Sequence, residues 1–246
     1  MGKKNRSNAK TEKPKKSFQD QLKIGDLVKE LLSKSSQVGP MNKSEEWENY
    51  LGIYDILQQL IALQKSPPPS AGTAGRAERL ACLHTWLLEN GGIVHGLTPA
   101  VYAGLGCGLT CVRPLAEGEP VIEVPRALMM TLETARASRL GGLLATDKLT
   151  QALPQLGLTL HLLEQSLTED SRWAPYVASL PDTYDTVLYF TPDEIQLLKG
   201  SPCFEEAVKQ CRNIARQYAY YHGFLHHCPE ARTLALRDNF TYERYR

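Results

Sequence analysis

The chain has 246 residues, of which 42% are hydrophobic and 22% charged, and its formal net charge is +1. That is enough apolar material for a sizeable core, and it excludes the strong overall field that would draw nucleic acid or acidic partners by charge alone. No run of about 18 apolar residues is present to cross a membrane as a helix, and no apolar stretch follows the basic start as a secretory signal requires.

Gly2 follows Met1, but Arg6 stands where a myristoylation signal wants Ser or Thr. The six cysteines, at positions 82, 107, 111, 203, 211 and 228, form no CxxC pair. They read as reduced thiols of a cytosolic or nuclear protein.

Residues 1–16 set Lys3, Lys4, Arg6, Lys10, Lys13, Lys15 and Lys16 against Glu12 alone. Nothing apolar is available to bury, so a disordered tail is expected. It is either a solvated tail or a nuclear-import or nucleic-acid contact patch. Ile24, Leu27, Val28 and Leu31 then share one face of a first helix. A second helix is expected from near Ser44, with Glu45 and Glu46 favourable in its first turn. Its apolar stripe is Trp47, Tyr50, Leu51, Tyr54, Leu57 and Ile61. Ser66 to Gly75 (SPPPSAGTAG) reads as a linker. A third helix over about Ala77–Glu89 turns Leu80, Leu83 and Leu87 inward and ends at Asn90-Gly91-Gly92.

The middle of the chain changes character. Short strands are expected at Ile93–His95 and near Val101, then a Gly-rich segment with Gly104, Gly106 and Gly108 leading into Leu109–Arg113. Leu115–Glu119 reads as a turn, and Val121–Val124 as a strand stopped by Pro125. Strand-turn-strand lacks the strand-to-helix context of a nucleotide-binding glycine loop. Helical periodicity returns over Thr131–Leu144 and Lys148–Ser166, the latter carrying Pro154 near its start. Val187–Phe190 reads as a small strand and Asp193–Leu198 as a short helix. Glu205–His226 reads as a long helix, with Ile214, Tyr218, Tyr221 and Leu225 on one side. Phe240–Arg246 looks like the opening of another helix. The class is α+β, with helices before and after a β-rich middle.

Few residues announce chemistry. His222 and His226, four apart, would share a helix face, but no second pair has metal-ligand spacing, so they read as a helix end and no metal is expected. His161, among leucines, reads as a hydrogen-bonded core or boundary residue. Cys107 and Cys111 have no basic neighbour to make a thiolate and read as packing residues.

Five segments carry a resemblance. GCGL at 106–109, followed by Arg113, resembles the opening hairpin of a SET domain, and EVPRALMMT at 123–131 is similar to its next strand and loop. WAPYVASLPDTYDTVLYFTPDE at 173–194 resembles the Rubisco-methyltransferase-type branch, whose SET domain is split by a helical insertion. ARQYAY at 215–220 and FTYERYR at 240–246 narrow the likeness to members that methylate a histidine of actin.

The resemblance implies S-adenosylmethionine (SAM) as cofactor, actin as partner, and transfer of a methyl group to a histidine. It implies that Arg76 grips the SAM carboxylate, that Leu105, Gly106 and Cys107 lie along SAM, and that Gln155, Arg216 and Gln217 line the actin-peptide groove. Leu-Gly-Cys replaces the family's usual Glu-Gly-Phe, and Gln155 replaces its Asn.

The family's Asn-His segment and catalytic tyrosine have no counterpart, so no catalytic residue is assigned and the chain is expected to be C-terminally truncated. The implied division is a basic tail over 1–20, N-terminal helices and linker over 21–75, the first part of a β-rich SET core over 76–131, and a helical insertion over 132–246. A cytoplasmic, possibly also nuclear, monomer is expected. The other reading is a catalytically incomplete short form that binds partners or peptides; a nucleic-acid or chromatin role is the least favoured.

Overall fold

A computed structural model describes residues 17–37, 42–64, 72–181 and 183–246. The basic segment 1–16 and most of the Pro-rich linker lie outside the described residues. Helix α1 (Phe18–Ser35) begins within the segment expected to be a tail. The Ser17 hydroxyl accepts the Asp20 N–H at 3.1 Å, a cap of about 1 kcal/mol. Ile24, Leu27, Val28 and Leu31 are buried as the spacing predicts.

Helix α2 (Lys43–Gln64) buries Tyr50, Ile53, Ile56, Leu57, Leu60 and Gln64. The expected stripe missed Ile53, Ile56 and Leu60. The reason is that α2 is covered from two sides: Ile53 to Leu60 enter the main core, while Trp47, Tyr50 and Leu51 pack in a second cluster with Ile195, Ala207, Val208 and Cys211. A helix clad on two sides spreads its apolar residues around its circumference. Burial holds the Cys211 thiol up to about 11, so it stays protonated and inert.

Helix α3 (Gly72–Glu89) starts inside the expected linker and has no buried side chain among those described. Four strands follow: β1 (Ile93–Val94), β2 (Leu97–Tyr102), β3 (Gly106–Cys111) and β4 (Ile122–Glu123). The expected pairing is corrected here. The strand ending near Arg113 does not fold back on Val121–Val124. Instead β2 pairs antiparallel with β3, and β4 pairs with β1 over two residues. The expected β-rich core is thus two separate two-stranded sheets, and the described fold is mostly helical. Each ladder has only one partner strand, and pairing beyond it needs neighbours that strand-like composition cannot supply.

The helices that follow are more broken than periodicity predicts. Thr131–Leu144 splits into α4 (Leu132–Arg136) and α5 (Gly141–Thr146). The chain folds so tightly there that a Cβ on Gly141 would lie 2.2 Å from the Arg136 carbonyl oxygen. Lys148–Ser166 splits into α6 (Lys148–Ala152) and α7 (Pro154–Leu167). Pro154 takes the first turn of α7, where its missing N–H costs nothing, and forces Leu153 out of helical geometry. Helix α8 is Ala174–Ser179. Val187–Tyr189 is a 3-10 turn rather than a strand, held by its apolar side chains against the second cluster. Helices α9 (Pro192–Gln196), α10 (Cys203–His227), α11 (Ala235–Asn239) and α12 (Tyr242–Tyr245) complete the chain. No described helix is long and apolar enough to cross a membrane.

The main core is centred on α10. Tyr218, Tyr221 and Leu225 are fully buried among α1, α2 and the residues that follow α10. Phe240 stacks on Tyr218 at 5.4 Å, and Tyr242 meets it edge-on at 5.4 Å. Buried Gln64 donates to the Tyr218 hydroxyl, while its side-chain oxygen accepts the Tyr242 N–H at 2.9 Å. Both ends of the amide are thus satisfied in a dry environment.

Candidate functional site

The β2–β3 hairpin turns through Ala103, Gly104 and Leu105, and the Leu105 N–H bonds the Tyr102 carbonyl at 3.1 Å. Gly104 and Gly106 sit at φ +74° and +81°, which an L side chain rarely adopts. A Cβ on either would meet nothing within 4 Å. The glycines therefore serve the backbone conformation, and the space beside them is open. Leu105, at the tip, is 85% exposed.

The register divides the hairpin into two faces. Leu97, Pro99 and Val101 stand opposite Cys111, Leu109 and Cys107, so one face is wholly apolar. The other face holds Thr98, Ala100, Tyr102, Gly106, Gly108 and Thr110. The Tyr102 ring lies over Gly108, where an added Cβ would come within 3.2 Å of it, and its hydroxyl bonds the Leu109 carbonyl at 3.0 Å. Beyond the hairpin, Arg113 pairs with Glu119. This bond, with help from the Ala116 N–H, holds the Glu119 carboxyl down to about 2.

Helix α3 packs against β1, β2 and β3. It carries Arg76, whose Nε is buried and has no acceptor. A guanidinium stays charged and cannot give up that donor. Leaving the donor unmet costs about 1–3 kcal/mol. Helix α3, which carries Arg76, packs against β2 and β3, the strands that flank the turn at Leu105, Gly106 and Cys107.

The expected peptide residues are less closely gathered. Gln155 is exposed in the first turn of α7. Arg216 is exposed on α10 and donates to Asn213 at 3.1 Å, while the Gln217 side-chain oxygen accepts from the Tyr245 hydroxyl at 3.1 Å. No hydrogen bond or ion pair joins Gln155 to Arg216 or Gln217. The short helix α12 packs against both α7 and α10 and bridges the two groups.

Several polar residues went unnoticed in the sequence. Asp147 is buried and accepts four donors: the Leu149 and Thr150 N–H groups, the Tyr220 hydroxyl at 2.7 Å and the Tyr221 hydroxyl at 3.1 Å. Burial, and then Asp147, push the Tyr220 phenol up to about 12 and Tyr221 higher still. Glu164, also buried, accepts the Ala235 and Leu236 N–H groups at the start of α11. An Asp ahead of a helical pattern is a legible capping signal. A Glu that caps a helix 71 residues away is not.

His161 departs from expectation. It is fully buried, edge-on to Trp173 at 5.3 Å, and neither ring nitrogen has a hydrogen-bond partner. Burial, aided by Arg172, lowers its pKa. His222 and His226 stack at 4.6 Å, and His226 Nδ1–H donates to the His222 carbonyl at 2.8 Å. The described residues contain no group of three or more side chains suited to hold a metal. A cleft of about 620 Å³ opens elsewhere, between the starts of α2 and α10, with Trp47 and Phe204 on its wall. None of the expected site residues lines it.

No family model matches the sequence. Curated relatives do. The actin-histidine N-methyltransferase of Otolemur garnettii is 38% identical over 224 residues, 91% of this chain and 37% of that protein. The Homo sapiens enzyme of the same name is 36% identical over 223 residues, again 91% of this chain and 37% of that one. The chain is a homologue of the actin-histidine N-methyltransferases. It spans little more than a third of the length of these relatives. Among solved structures, the SET domain of LSMT bound to methyllysine and AdoHcy aligns with a TM-score of 0.59 at 23% identity, covering 68% of this chain and 37% of that one. Rubisco LSMT bound to AdoMet aligns at 0.55 with 22% identity, covering 67% and 38%. These two likenesses show a shared fold with part of the SET enzymes. The homologue is mostly helical, with its β2–β3 hairpin set against α3.

Proposed function

We propose that this homologue contributes to methyl transfer from SAM to a histidine of actin, by supplying part of the cofactor site and part of the peptide groove. The observation that carries the reading is the 36–38% identity to actin-histidine N-methyltransferases across nine-tenths of the chain. What supports it locally is the buried Arg76 Nε with no acceptor, on the helix that packs against the β2–β3 hairpin, and the open space around the glycines of that hairpin's turn. A guanidinium fork suits a carboxylate, and the 105–107 backbone offers donors and acceptors without side-chain obstruction. SAM, when bound, supplies an electrophilic methyl group.

The protein's task is alignment. Arg76 fixes the carboxylate end of the cofactor. Leu105, Gly106 and Cys107 lie along it, with Cys107 offering no aromatic face. Gln155, Arg216 and Gln217 hold the peptide so that a neutral imidazole nitrogen meets the methyl group. Imidazole is about half neutral near pH 6.5, so a strong base is not needed. The work takes place wherever actin is, in the cytoplasm and, by the basic segment 1–16, also in the nucleus.

The test is intact-mass measurement of purified actin after incubation with SAM and this chain, with the human enzyme as control. A gain of one methyl supports the reading. SAM binding that is lost in Arg76→Ala supports the cofactor site even where turnover is absent. Absence of both SAM binding and competition for an actin peptide overturns the reading.

A further inference from the structure

Tyr245 is buried, and its ring is walled by three others. Phe240 meets it edge-on at 5.3 Å, and Tyr218 and Tyr221 lie at 6.3 Å. The short helix that carries it, α12, is held from two sides. The Tyr242 N–H bonds the Gln64 side-chain oxygen at 2.9 Å. The Arg246 guanidinium bonds the Leu188 carbonyl at 3.2 Å and lies over the Tyr189 ring at 4.1 Å. A ring enclosed in this way is confined to one rotamer, so its hydroxyl has one position. That hydroxyl donates to the Gln217 side-chain oxygen at 3.1 Å. Burial raises the phenol pKa, so the donor keeps its proton.

The bond decides which way round the Gln217 amide sits. A primary amide has an acceptor end and a donor end, and turning it over exchanges them with little change of shape. Tyr245 holds the oxygen of half-buried Gln217, so the NH2 group is the end left over. It has no hydrogen-bond partner among the described residues. Arg216, beside it and exposed, spends one N–H on the Asn213 side-chain oxygen at 3.1 Å and keeps the others. Two consecutive residues of α10 thus have donors to spare, while the side-chain oxygens next to them are engaged.

We infer that Tyr245 is a positioning residue for the peptide groove. It sets the polarity of the Gln217 amide, so that Arg216 and Gln217 present N–H donors and take carbonyl oxygens of a bound peptide. The inference rests on the reading that these two residues touch the actin peptide, and it adds a residue that acts on the peptide only through Gln217.

The experiment is a calorimetric titration of the full chain with a synthetic actin peptide that spans the target histidine, with the human enzyme as control for the probe. Tyr245→Phe keeps the ring and removes only the hydroxyl. It should weaken peptide binding about three- to tenfold, with the helical melt close to that of the parent. In a Gln217→Ala background the same change should have no further effect, since the hydroxyl then has no amide to orient. Gln217→Glu puts an oxygen at both ends and should weaken binding about tenfold or more. Tyr245→Phe without effect on affinity, an equal loss in both backgrounds, or a Gln217→Glu chain that binds as well as the parent overturns the inference. If the chain binds and Gln217→Ala weakens it while Tyr245→Phe does not, the inference falls and the peptide groove stands. If the human enzyme binds the peptide and this chain does not, the groove falls and the inference with it.

Discussion

The two halves of this molecule are held together by different means. From Ala135 onward, joined by α1 and α2, side chains disappear from water: Tyr218, Tyr221, Leu60 and Leu31 are fully buried, and polar groups such as Asp147, Glu164 and Gln64 are sealed in with their partners. Between Ile93 and Thr134, no residue is buried. That stretch is kept by backbone ladders, glycine turns and exposed ion pairs. The contrast teaches that regular pairing alone does not make a core. Ladders fix direction and register, while burial supplies most of the free energy.

The strongest way to break the contrast is at the centre of the buried half. Tyr218→Ala removes a fully buried ring that stacks on Phe240 and bonds Gln64. It should cost about 3–5 kcal/mol, read as a large fall in the helical melting temperature. Asp147→Ala leaves two phenols and two helix N–H groups without an acceptor, and should cost about 3 kcal/mol in a urea titration followed by circular dichroism. Neither substitution should disturb the β2–β3 amide pattern in an NMR spectrum at a temperature where the chain stays folded.

Alkali should distinguish the halves as well. Tyr220 titrates near 12 in the folded chain, above its ordinary 10. Below pH 10 both folded and unfolded states hold the proton and stability is complete. From pH 10 to about 12 the unfolded state releases it first, so helical stability should fall across that window. Tyr220→Phe should lessen the fall, measured by melting at each pH, with the remainder belonging to Tyr50, Tyr218, Tyr221, Tyr242 and Tyr245, whose phenols burial also raises. At the acid end the sign reverses for Glu119, whose folded pKa is near 2. Its contribution is present above about 4.5 and lost as pH falls toward 2, and the local NMR shifts around Arg113 should report it.

The smallest effect belongs to the hairpin turn. Gly106→Ala asks an L residue to sit at φ +81° and should cost about 1 kcal/mol, seen as faster exchange of the 97–111 amides with the helical melt unchanged. A drop in the helical melt would show that the two halves are more tightly coupled than their burial implies.

How much of this was legible depended on whether the cause was local. The buried face of α1 follows from i, i+3, i+4, i+7 spacing, and α10 was found to within two residues at its start and one at its end. On α2 the side that α9 and α10 cover, with Trp47, Tyr50 and Leu51, was legible. Ile53, Ile56 and Leu60, which enter the main core, were not, because a helix covered on two sides blurs its own period. The pairing of β4 with β1 rather than β3 was invisible for a similar reason: partner choice among short apolar strands is decided by what surrounds them. The break at Gly141 carries a turn signal in the Gly141-Gly142 pair, which the helical periodicity of the flanking residues masked. At the site, Arg76, Leu105, Gly106, Cys107, Gln155, Arg216 and Gln217 came from family resemblance. Chemistry alone leaves Arg76 as one arginine among many, and its buried Nε does not set it apart, since the Arg237 Nε is likewise buried without an acceptor.

The two-ended amide of Gln64 has a consequence for how the protein is made. Its partners, Tyr218 and Tyr242, lie 154 and 178 residues downstream. At a synthesis rate of about 5–20 residues per second, α2 waits on the order of ten to forty seconds for the groups that complete it. During that interval its apolar circumference has only α1 beside it. The newborn chain is thus a client for chaperones and proteases until its final helices emerge, and its abundance in a cell will depend on how well it is shielded while it waits.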